Sequence, residues 1–386
     1  MTAWKLYDWP FFDKNHQRLG EQLIEWTPTL HSGHGLTTLE QEARFLAREF
    51  GKAGLLDYVV LPEGGKFDVR ALCIVREFLG FEHIPADSVY AMQGLGTAAL
   101  QFHGSEELKA KYLPKCRSGE SIAALAISEP QCGSDVANIA CAAVKDGNEY
   151  VINGQKTWIT NAPFADHYLL LARTGEAPGA RGLSLFMVDA GTKGLECGPP
   201  IDLIAPHPVA ALNFTDCRIP ASNLIGQAGQ GFKLAMGVFD YFRTSVGAAG
   251  VGIGRRCIQE ALGRVTTRPL FGKMMADIEG VQMKIADMVT EVEVAALAVY
   301  RAAWSKDVHG GRGSKEASIA KLLGSEAAGH AADTAIQLFG GLGVMKGTLV
   351  EQLYREARPM RIYEGASEVQ KLVISRAALA EFSGKA

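Results

Sequence analysis

The sequence lacks an excess of charge of either sign, and it lacks long apolar runs. Its 39 Lys and Arg against 42 Asp and Glu give a formal net charge of −3. Without a broad basic surface, binding to nucleic acid or to an anionic membrane surface has no electrostatic basis. No apolar run approaches the roughly 20 residues that cross a bilayer, and residues 1–15 carry no apolar core of a secretory signal. We therefore expect neither a nucleic-acid partner nor a membrane partner.

The sequence also lacks paired cysteines. Its seven cysteines are an odd number, and none lies in a C-x-x-C pair. In a chain of this length, such spacing indicates reduced thiols in place of a disulfide framework or a zinc site. Asp8, Asp13 and Glu21 argue against an acid-poor transit peptide. We predict a cytoplasmic protein with no metal.

Several common nucleotide and hydrolase motifs are missing. There is no G-x-x-x-x-G-K-[ST] loop and no G-x-S-x-G elbow, which excludes the usual routes to ATP binding and serine hydrolysis. The run Gly250-Val251-Gly252-Ile253-Gly254 resembles a dinucleotide loop, but it lies in a helical pattern and follows no strand. We predict that these glycines allow close helix packing.

The 386 residues, 47% of them hydrophobic, exceed what one compact core accommodates. Apolar spacing is helical up to about residue 117, turns to short β-prone runs between 121 and 225, and becomes helical again after 231. The pattern predicts an α+β fold. It would have an N-terminal all-α domain (1–120), a middle antiparallel β domain (121–228) and a C-terminal antiparallel four-helix bundle (229–386).

Local signals set several element boundaries. Thr37 and Glu40 have the spacing of a capping box at the start of a helix. Asp146-Gly147-Asn148 and Asn153-Gly154 are both typical of hairpin turns, and the second is a strong signal for a two-residue type I′ turn. Long helical stretches are expected over 231–267, 277–308 and 314–339.

Three segments have compositions that are typical of ligand-binding or catalytic sites. Residues 127–135 form a polar, turn-rich loop, and 361–370 place Glu364 before a glycine, just upstream of the last helix. In residues 155–161, Trp158 and Thr160 occupy alternate positions of one strand, so they point to the same face.

Taken together and in this order, these segments closely resemble the acyl-CoA dehydrogenase family. The resemblance covers nearly the whole chain and includes four further motifs: Phe239-Asp240-x-x-Arg243, Arg268-x-x-Phe271-Gly272, Gln337-Leu338-Phe339-Gly340-Gly341 and Tyr354-Arg355.

The resemblance implies an FAD site between the β domain and the bundle. Trp158 and Thr160 would lie against the flavin ring. The diphosphate would be bound by an arginine guanidinium group and by backbone that glycine allows to approach closely, both from a neighbouring subunit. The alternatives are a core aromatic for Trp158 and a solvated helix-end cation for Arg268. The cofactor-binding residues implied are Ile127, Ser128, Gly133, Trp158, Thr160, Arg268, Phe271, Gln337 and Gly341.

The resemblance also implies that Glu364 is the catalytic base, which removes the proton α to a thioester carbonyl while the β-hydrogen leaves as hydride. Desolvation would raise the pKa of such a carboxyl group. The Glu364 backbone N–H would help to hold the thioester oxygen. In some relatives the base lies one residue before the Arg of the Phe-Asp-x-x-Arg motif, but here that position is Phe242. The alternative for Glu364 is an acid at a helix N-terminus.

Five residues are expected to bind substrate. Asp240 and Arg243 would bind the CoA arm or position the loop that carries the base. The substrate-binding residues implied are Ser134, Asp240, Arg243, Tyr363 and Gly365.

Asp87 is expected to cap the helix after Pro85. The alternative is that Asp87 serves as a second acidic group for an unusual acyl substrate.

The chain departs from the family pattern at a few positions. Ala366 stands where the family usually has Thr, which removes one expected FAD contact, and Ile278-Glu279 replaces a Phe-Gln pair at a cross-subunit contact.

The implied function is FAD-dependent conversion of an acyl-CoA to the trans-2-enoyl-CoA by a homotetramer, with electrons passed to an electron-transferring flavoprotein. The alternatives are an acyl-CoA oxidase or flavin monooxygenase of the same fold, or a non-catalytic flavin-binding member. The sequence leaves open whether the acyl group is short, branched or cyclic.

Overall fold

The computed structural model describes residues 4–33 and 35–384. Within them the chain forms two compact units. One, here called the helical unit, draws on Met1–Pro28, Asp68–Asp87 and Asp240–Ala386, and the other, the sheet unit, on Thr29–Phe67 and Ser88–Phe239. Each unit therefore joins segments that are distant in sequence. The division at residues 120 and 228, which follows chain order, stays a prediction.

Helices precede the first strand, as the spacing predicts. Helix α2 starts one residue later than expected: its N-cap is Thr38, whose hydroxyl accepts from the Gln41 backbone N–H at 3.2 Å. The Gln41 side chain accepts from the N–H of Thr37, the residue before the N-cap, at 3.0 Å. The expected capping box between Thr37 and Glu40 is therefore wrong. The first six helices are α1 (Lys14–Leu30), α2 (Leu39–Lys52), α3 (Val69–Glu82), α4 (Ile84–Leu95), α5 (Ala98–His103) and α6 (Glu106–Arg117).

The sheet unit contains an eight-stranded sheet in the order β6-β7-β3-β2-β4-β5-β8, with β1 beside β4. Most pairs are antiparallel, as predicted, but β1 and β2 both run parallel to β4. These two strands follow one another along the same edge of β4, and residues 127–141 leave the sheet between them. The strands are β1 (Ala123–Ala126), β2 (Ala142–Asp146), β3 (Glu149–Thr160), β4 (His167–Arg173), β5 (Leu183–Asp189), β6 (Leu195–Cys197), β7 (Val209–Pro220) and β8 (Leu224–Ile225).

The strong hairpin signal at Asn153-Gly154 is wrong. Strand β3 continues through these residues, with a shift of its register against β7 between Ile152 and Gly154. The hairpin between β2 and β3 turns at the other signal, with Asp146 paired to Glu149 and Gly147 at φ +60°. Gly154 serves close approach instead, because a Cβ there would lie 2.7 Å from the Cα of Cys141.

The long C-terminal helices agree with the predicted stretches within about two residues. In the helical unit, α9 packs against α8, α10 and α11. A short hairpin, formed by β9 (Pro269–Leu270) and β10 (Lys273–Met274), lies between α7 and α8 in the sequence. The helices are α7 (Gly231–Thr267), α8 (Glu279–His309), α9 (Ser314–Phe339), α10 (Leu349–Met360) and α11 (Ser367–Phe382).

The glycine run in α7 packs closely against other helices, as predicted. A Cβ at Gly250 would lie 2.5 Å from the Gly324 carbonyl oxygen of α9. A Cβ at Gly254 would lie 2.6 Å from a methyl carbon of Val292 in α8. Helix α7 therefore meets its neighbours at distances that only glycine allows.

No helix within residues 4–33 and 35–384 is long and apolar enough to span a membrane. All seven cysteines are free thiols, and only Cys197 is exposed.

Substituting Gly250→Ala is expected to lower the free energy of unfolding by about 1–3 kcal/mol, because the added methyl overpacks the α7–α9 contact. Gly263→Ala is the matched control: it lies on the same helix, and its Cβ would have no atom within 4 Å. That change should stabilise by up to about 1 kcal/mol through helix propensity. Denaturant titration of both variants measures the difference, and equal effects would contradict the packing.

Candidate active site

The turn between α10 and α11, here called the Glu364 loop (residues 361–366), has a left-handed backbone. Glu364 has φ +51° and the following Gly365 has φ +93°. For a residue with a side chain, this conformation costs on the order of 1 kcal/mol or more, so surrounding contacts must maintain it.

Three buried side chains supply those contacts. Arg243 of α7 donates from Nε to the Glu364 carbonyl oxygen at 3.4 Å. Lys321 of α9 and Gln370 of α11 both donate to the Gly365 carbonyl oxygen, at 2.9 Å and 2.7 Å. The loop is thereby tied to three separate helices.

The Glu364 side chain combines burial with unused hydrogen-bonding capacity. Its carboxylate Oε2 is buried and has no hydrogen-bond partner among the described residues. No described residue bonds to its backbone N–H either. Burial raises the pKa of this carboxyl group, and Asp87 adds to the rise, while the cations Arg76, Lys321 and Arg243 oppose it. A desolvated carboxylate with a free oxygen is suited to take a proton from a ligand.

Asp87 does not cap its helix, so that expectation is wrong. Both of its carboxylate oxygens accept from the Arg76 guanidinium, each at 2.8 Å, in a fully buried bidentate pair. Arg76 also donates to the Ser245 hydroxyl at 2.9 Å. The pair satisfies the Asp87 carboxylate more strongly than a helix terminus would.

The other expected substrate residues of the helical unit separate into two groups. Arg243 and Gly365 belong to the Glu364 loop contacts, and Tyr363, which precedes the base in sequence, is 36% exposed. Asp240 is turned elsewhere: its two oxygens accept from Arg312 and Ser314, at 3.1 Å and 2.8 Å. Asp240 therefore fixes the α8–α9 connection.

In the sheet unit, Trp158 is exposed instead of forming part of the core. Lys156 pairs with Leu212 and Ile159 with Ala210, so Thr157 and Trp158 together oppose one residue of β7 in a bulge. Trp158 has φ +59° and is 57% exposed. The alternative of a core aromatic is wrong, and the indole presents its ring at the surface of the unit.

One buried ion pair holds both ends of the loop formed by residues 127–141. Lys156 Nζ donates to the Ile127 carbonyl oxygen and to Glu129 Oε1, each at 2.8 Å. Glu129 in turn accepts from the backbone N–H groups of Ala140 and Cys141, at 2.6 Å and 2.9 Å. Burial lowers the pKa of Lys156.

The groups that remain open in the sheet unit suit a flat polar ring such as that of FAD. Within the described residues, the Ser128 hydroxyl and backbone N–H and the Thr160 hydroxyl have no hydrogen-bond partner. Gly133 and Ser134 are exposed on the same loop. An exposed indole with nearby unpaired donors matches both the faces and the edge of an isoalloxazine.

The remaining expected FAD residues lie on the surface of the helical unit. Arg268 and Phe271 flank β9, and Phe271, at φ +51°, is 89% exposed at the turn of the hairpin. Gln337 lies in the last turn of α9, and Gly341 lies in the 3-10 turn after the helix, both exposed. Their contact with the FAD of a neighbouring subunit stays a prediction.

Three family models match the chain in order. They describe the N-terminal domain of acyl-CoA dehydrogenase over residues 35–120, the middle domain over 124–217 and the C-terminal domain over 229–379. The chain belongs to the acyl-CoA dehydrogenase family. It is therefore an enzyme of a family that depends on FAD.

Individual relatives agree with this assignment. The chain is 38% identical over 333 residues to cyclohexane-1-carbonyl-CoA dehydrogenase of Geobacter metallireducens, covering 85% of this chain and 87% of the relative. The acyl-CoA dehydrogenase structure from Geobacillus kaustophilus matches with a TM-score of 0.88 at 30% identity, over 96% and 99% of the two chains. A chain in the structure of the electron-transferring flavoprotein of Acidaminococcus fermentans matches with a TM-score of 0.87 at 29% identity, over 95% and 98%.

Four residues of these sites were given no role from the sequence: Lys321, Gln370, Glu129 and Lys156. A signal for Lys321 was present, because it lies on the apolar stripe of α9 with Ala317, Gly324 and Ala328. A charged residue in such a stripe predicts a buried partner. The sequence contains no comparable signal for Gln370.

Replacing Lys156→Met should leave Glu129 as an uncompensated buried charge and lower the free energy of unfolding by about 3–5 kcal/mol. The matched control is Arg218→Met in the same sheet, whose ion pairs to Asp146 and Glu149 are exposed. That variant should unfold at nearly the wild-type denaturant concentration. FAD retention on gel filtration should fall for Lys156→Met alone. Equal stability and equal retention in the two variants would contradict the role of the pair.

Proposed function

We propose that the protein removes the α-proton and the β-hydrogen of an acyl-CoA thioester, giving the trans-2-enoyl-CoA, with Glu364 as the base. One observation carries this proposal: the Glu364 carboxylate is buried, has an oxygen without a hydrogen-bond partner among the described residues, and is held in a left-handed turn. A carboxylate in that state can accept a carbon-bound proton without first losing a hydrogen bond of its own.

The backbone of the same residue supports a second role. The Glu364 N–H has no hydrogen-bond partner in residues 4–33 and 35–384, so it is available to a thioester carbonyl oxygen. A donor at that oxygen would stabilise the negative charge that develops as the α-proton leaves. Base and donor thus belong to one residue. Arg243 donates to its carbonyl oxygen, and Lys321 and Gln370 donate to the carbonyl oxygen of the following Gly365.

FAD, when bound, would supply the acceptor for the hydride. Trp158, Thr160 and Ser128 would hold its ring, and Arg268 with Gln337 its diphosphate and adenine side in a neighbouring subunit. Ala366, at the N-cap of α11, makes no side-chain cap bond and has no hydroxyl to offer the cofactor.

We further propose a homotetramer that passes electrons to an electron-transferring flavoprotein in the cytoplasm. The likeness to a chain in the Acidaminococcus fermentans electron-transferring flavoprotein structure supports that acceptor. Oligomer formation would cover apolar side chains that the helical unit leaves exposed. They include Phe271, Met283, Val294, Leu297, Val344, Met345, Leu379 and Phe382.

Glu364→Gln should yield a yellow protein that binds acyl-CoA but no longer bleaches its flavin under anaerobic conditions, because the amide cannot take the α-proton. Glu368→Gln is the matched control, since this exposed glutamate lies in the first turn of α11. The control should bleach at the wild-type rate. Unchanged bleaching in Glu364→Gln would refute the proposal.

The same assay in air separates the rival functions. An acyl-CoA panel that includes linear, branched and cyclohexane-1-carbonyl thioesters would identify the acyl class. Peroxide formed at the rate of substrate turnover would instead show an oxidase. Folded protein without yellow colour after incubation with FAD would show a non-catalytic member.

The rate of flavin reduction should rise with pH through an acid limb that lies above the ordinary glutamate pKa. The direction follows from Glu364: burial raises its pKa, and only the ionised form can accept the proton. Stopped-flow reduction between pH 5 and 9 at saturating acyl-CoA measures the limb. An acid limb at or below the ordinary glutamate range would contradict the assignment.

A further inference from the structure

Lys321 is a buried lysine in the middle of α9. Its side chain has no exposed surface, and its neighbours on the same helix face are Ala317, Gly324 and Ala328. Burying an ammonium group among small apolar residues is costly unless a specific contact offsets the cost. In the described structure its hydrogen bond goes from Nζ to the Gly365 carbonyl oxygen at 2.9 Å, next to Glu364.

The acidic groups around Lys321 do not bond to it directly. Glu326 accepts from the Ser367 hydroxyl at 2.5 Å and from Arg361 Nε at 2.9 Å, so both of its oxygens are used at the ends of the Glu364 loop. Glu368 is exposed in α11. The remaining charged neighbours are Glu364 and the cation Arg243.

Four charged groups act on the Glu364 carboxyl group. They are Arg76 of α3, Asp87 of α4, Arg243 of α7 and Lys321 of α9. Asp87 and Arg76 bind one another through two hydrogen bonds and act on the base in opposite directions, so their effects partly cancel. Lys321 forms no ion pair within the described residues, so its positive charge acts on Glu364 without a bound carboxylate to offset it.

We propose that Lys321 is a positioning residue for the base, which fixes the Gly365 carbonyl so that the Glu364 carboxylate keeps its place, and whose charge keeps that carboxylate ionised. This inference rests on the proposed function of Glu364. Burial lowers the pKa of Lys321 to about 8, so at neutral pH the ammonium form predominates. The positive charge lowers the pKa of Glu364 against the effect of burial.

Gln370 alone would hold the Gly365 carbonyl less firmly than Gln370 and Lys321 do together. The Gly365 carbonyl oxygen receives two donors, and the one from Lys321 is charge-assisted. Without Lys321, the Gly365 carbonyl would keep only the neutral amide of Gln370, and the Glu364 carbonyl would keep the long bond from Arg243 at 3.4 Å. These weaker contacts would have to oppose the relaxation of two successive left-handed residues. The carboxyl group would then move and would also hold its proton more tightly.

Three substitutions separate the hydrogen bond from the charge. Lys321→Met removes both, Lys321→Gln keeps a donor without the charge, and Lys321→Arg keeps both. In the FAD-loaded protein, Lys321→Met should lower the maximal rate of flavin reduction about tenfold through misplacement of the base. It should also move the acid limb up by about one pH unit. Lys321→Gln should show the shifted limb with a smaller loss of rate, and Lys321→Arg should restore both.

The matched control is Lys315→Met on the same helix, whose ammonium pairs with Glu381 away from the Glu364 loop. Its pH profile should be that of the wild type. A second readout is independent of turnover: amide hydrogen exchange of residues 361–366 should speed up in Lys321→Met and stay unchanged in Lys315→Met.

The possible outcomes distinguish this inference from the proposed function. A Lys321→Met variant with the wild-type acid limb and wild-type exchange in the Glu364 loop would overturn the role of Lys321. Glu364 would then remain the base as long as Glu364→Gln fails to bleach its flavin. Bleaching by Glu364→Gln would overturn the proposed function itself, and the Lys321 role as positioning residue with it.

Discussion

A buried carboxylate on a left-handed turn is the constraint on which the account depends. Glu364 cannot adopt φ +51° at no cost, and its Oε2 has no partner within the described residues. Both features are unfavourable for folding, and a protein keeps such features where they serve a purpose. Here the shared consequence is a carboxylate and a backbone N–H that are both available to a bound thioester.

Both units use the same means of holding a site loop. In the helical unit, Lys321 donates to the Gly365 carbonyl, and in the sheet unit, Lys156 donates to the Ile127 carbonyl. Each lysine is fully buried and each bonds to the backbone of a residue that the family resemblance assigns to the site. A charge-assisted bond to a carbonyl fixes the peptide plane and leaves the side chains of the loop free for a ligand.

The sequence predicted the α-β-α order and the three long C-terminal helices, because these follow from apolar periodicity. Asn153-Gly154 gave a wrong hairpin prediction. Gly154 is needed because the strand passes close to Cys141, and an Asn-Gly pair of that origin looks the same in the sequence as a hairpin turn. Asp87 misled as well, because its partner Arg76 lies on another helix and leaves no local signal. The contacts around Glu364 join α7, α9 and α11, and such distant pairings cannot be inferred from one sequence. The sequence marked Lys321 only as a charged residue among the small apolar residues of one face of α9.

The most direct test of the account is a crystal structure of the protein with FAD and an unreactive acyl-CoA analogue. We expect a Glu364 carboxylate oxygen to lie within about 3.5 Å of the α-carbon, with the flavin ring on the opposite face of the acyl group. The Glu364 N–H should point to the thioester oxygen. A carboxylate turned to solvent, or another side chain facing the α-carbon, would contradict it.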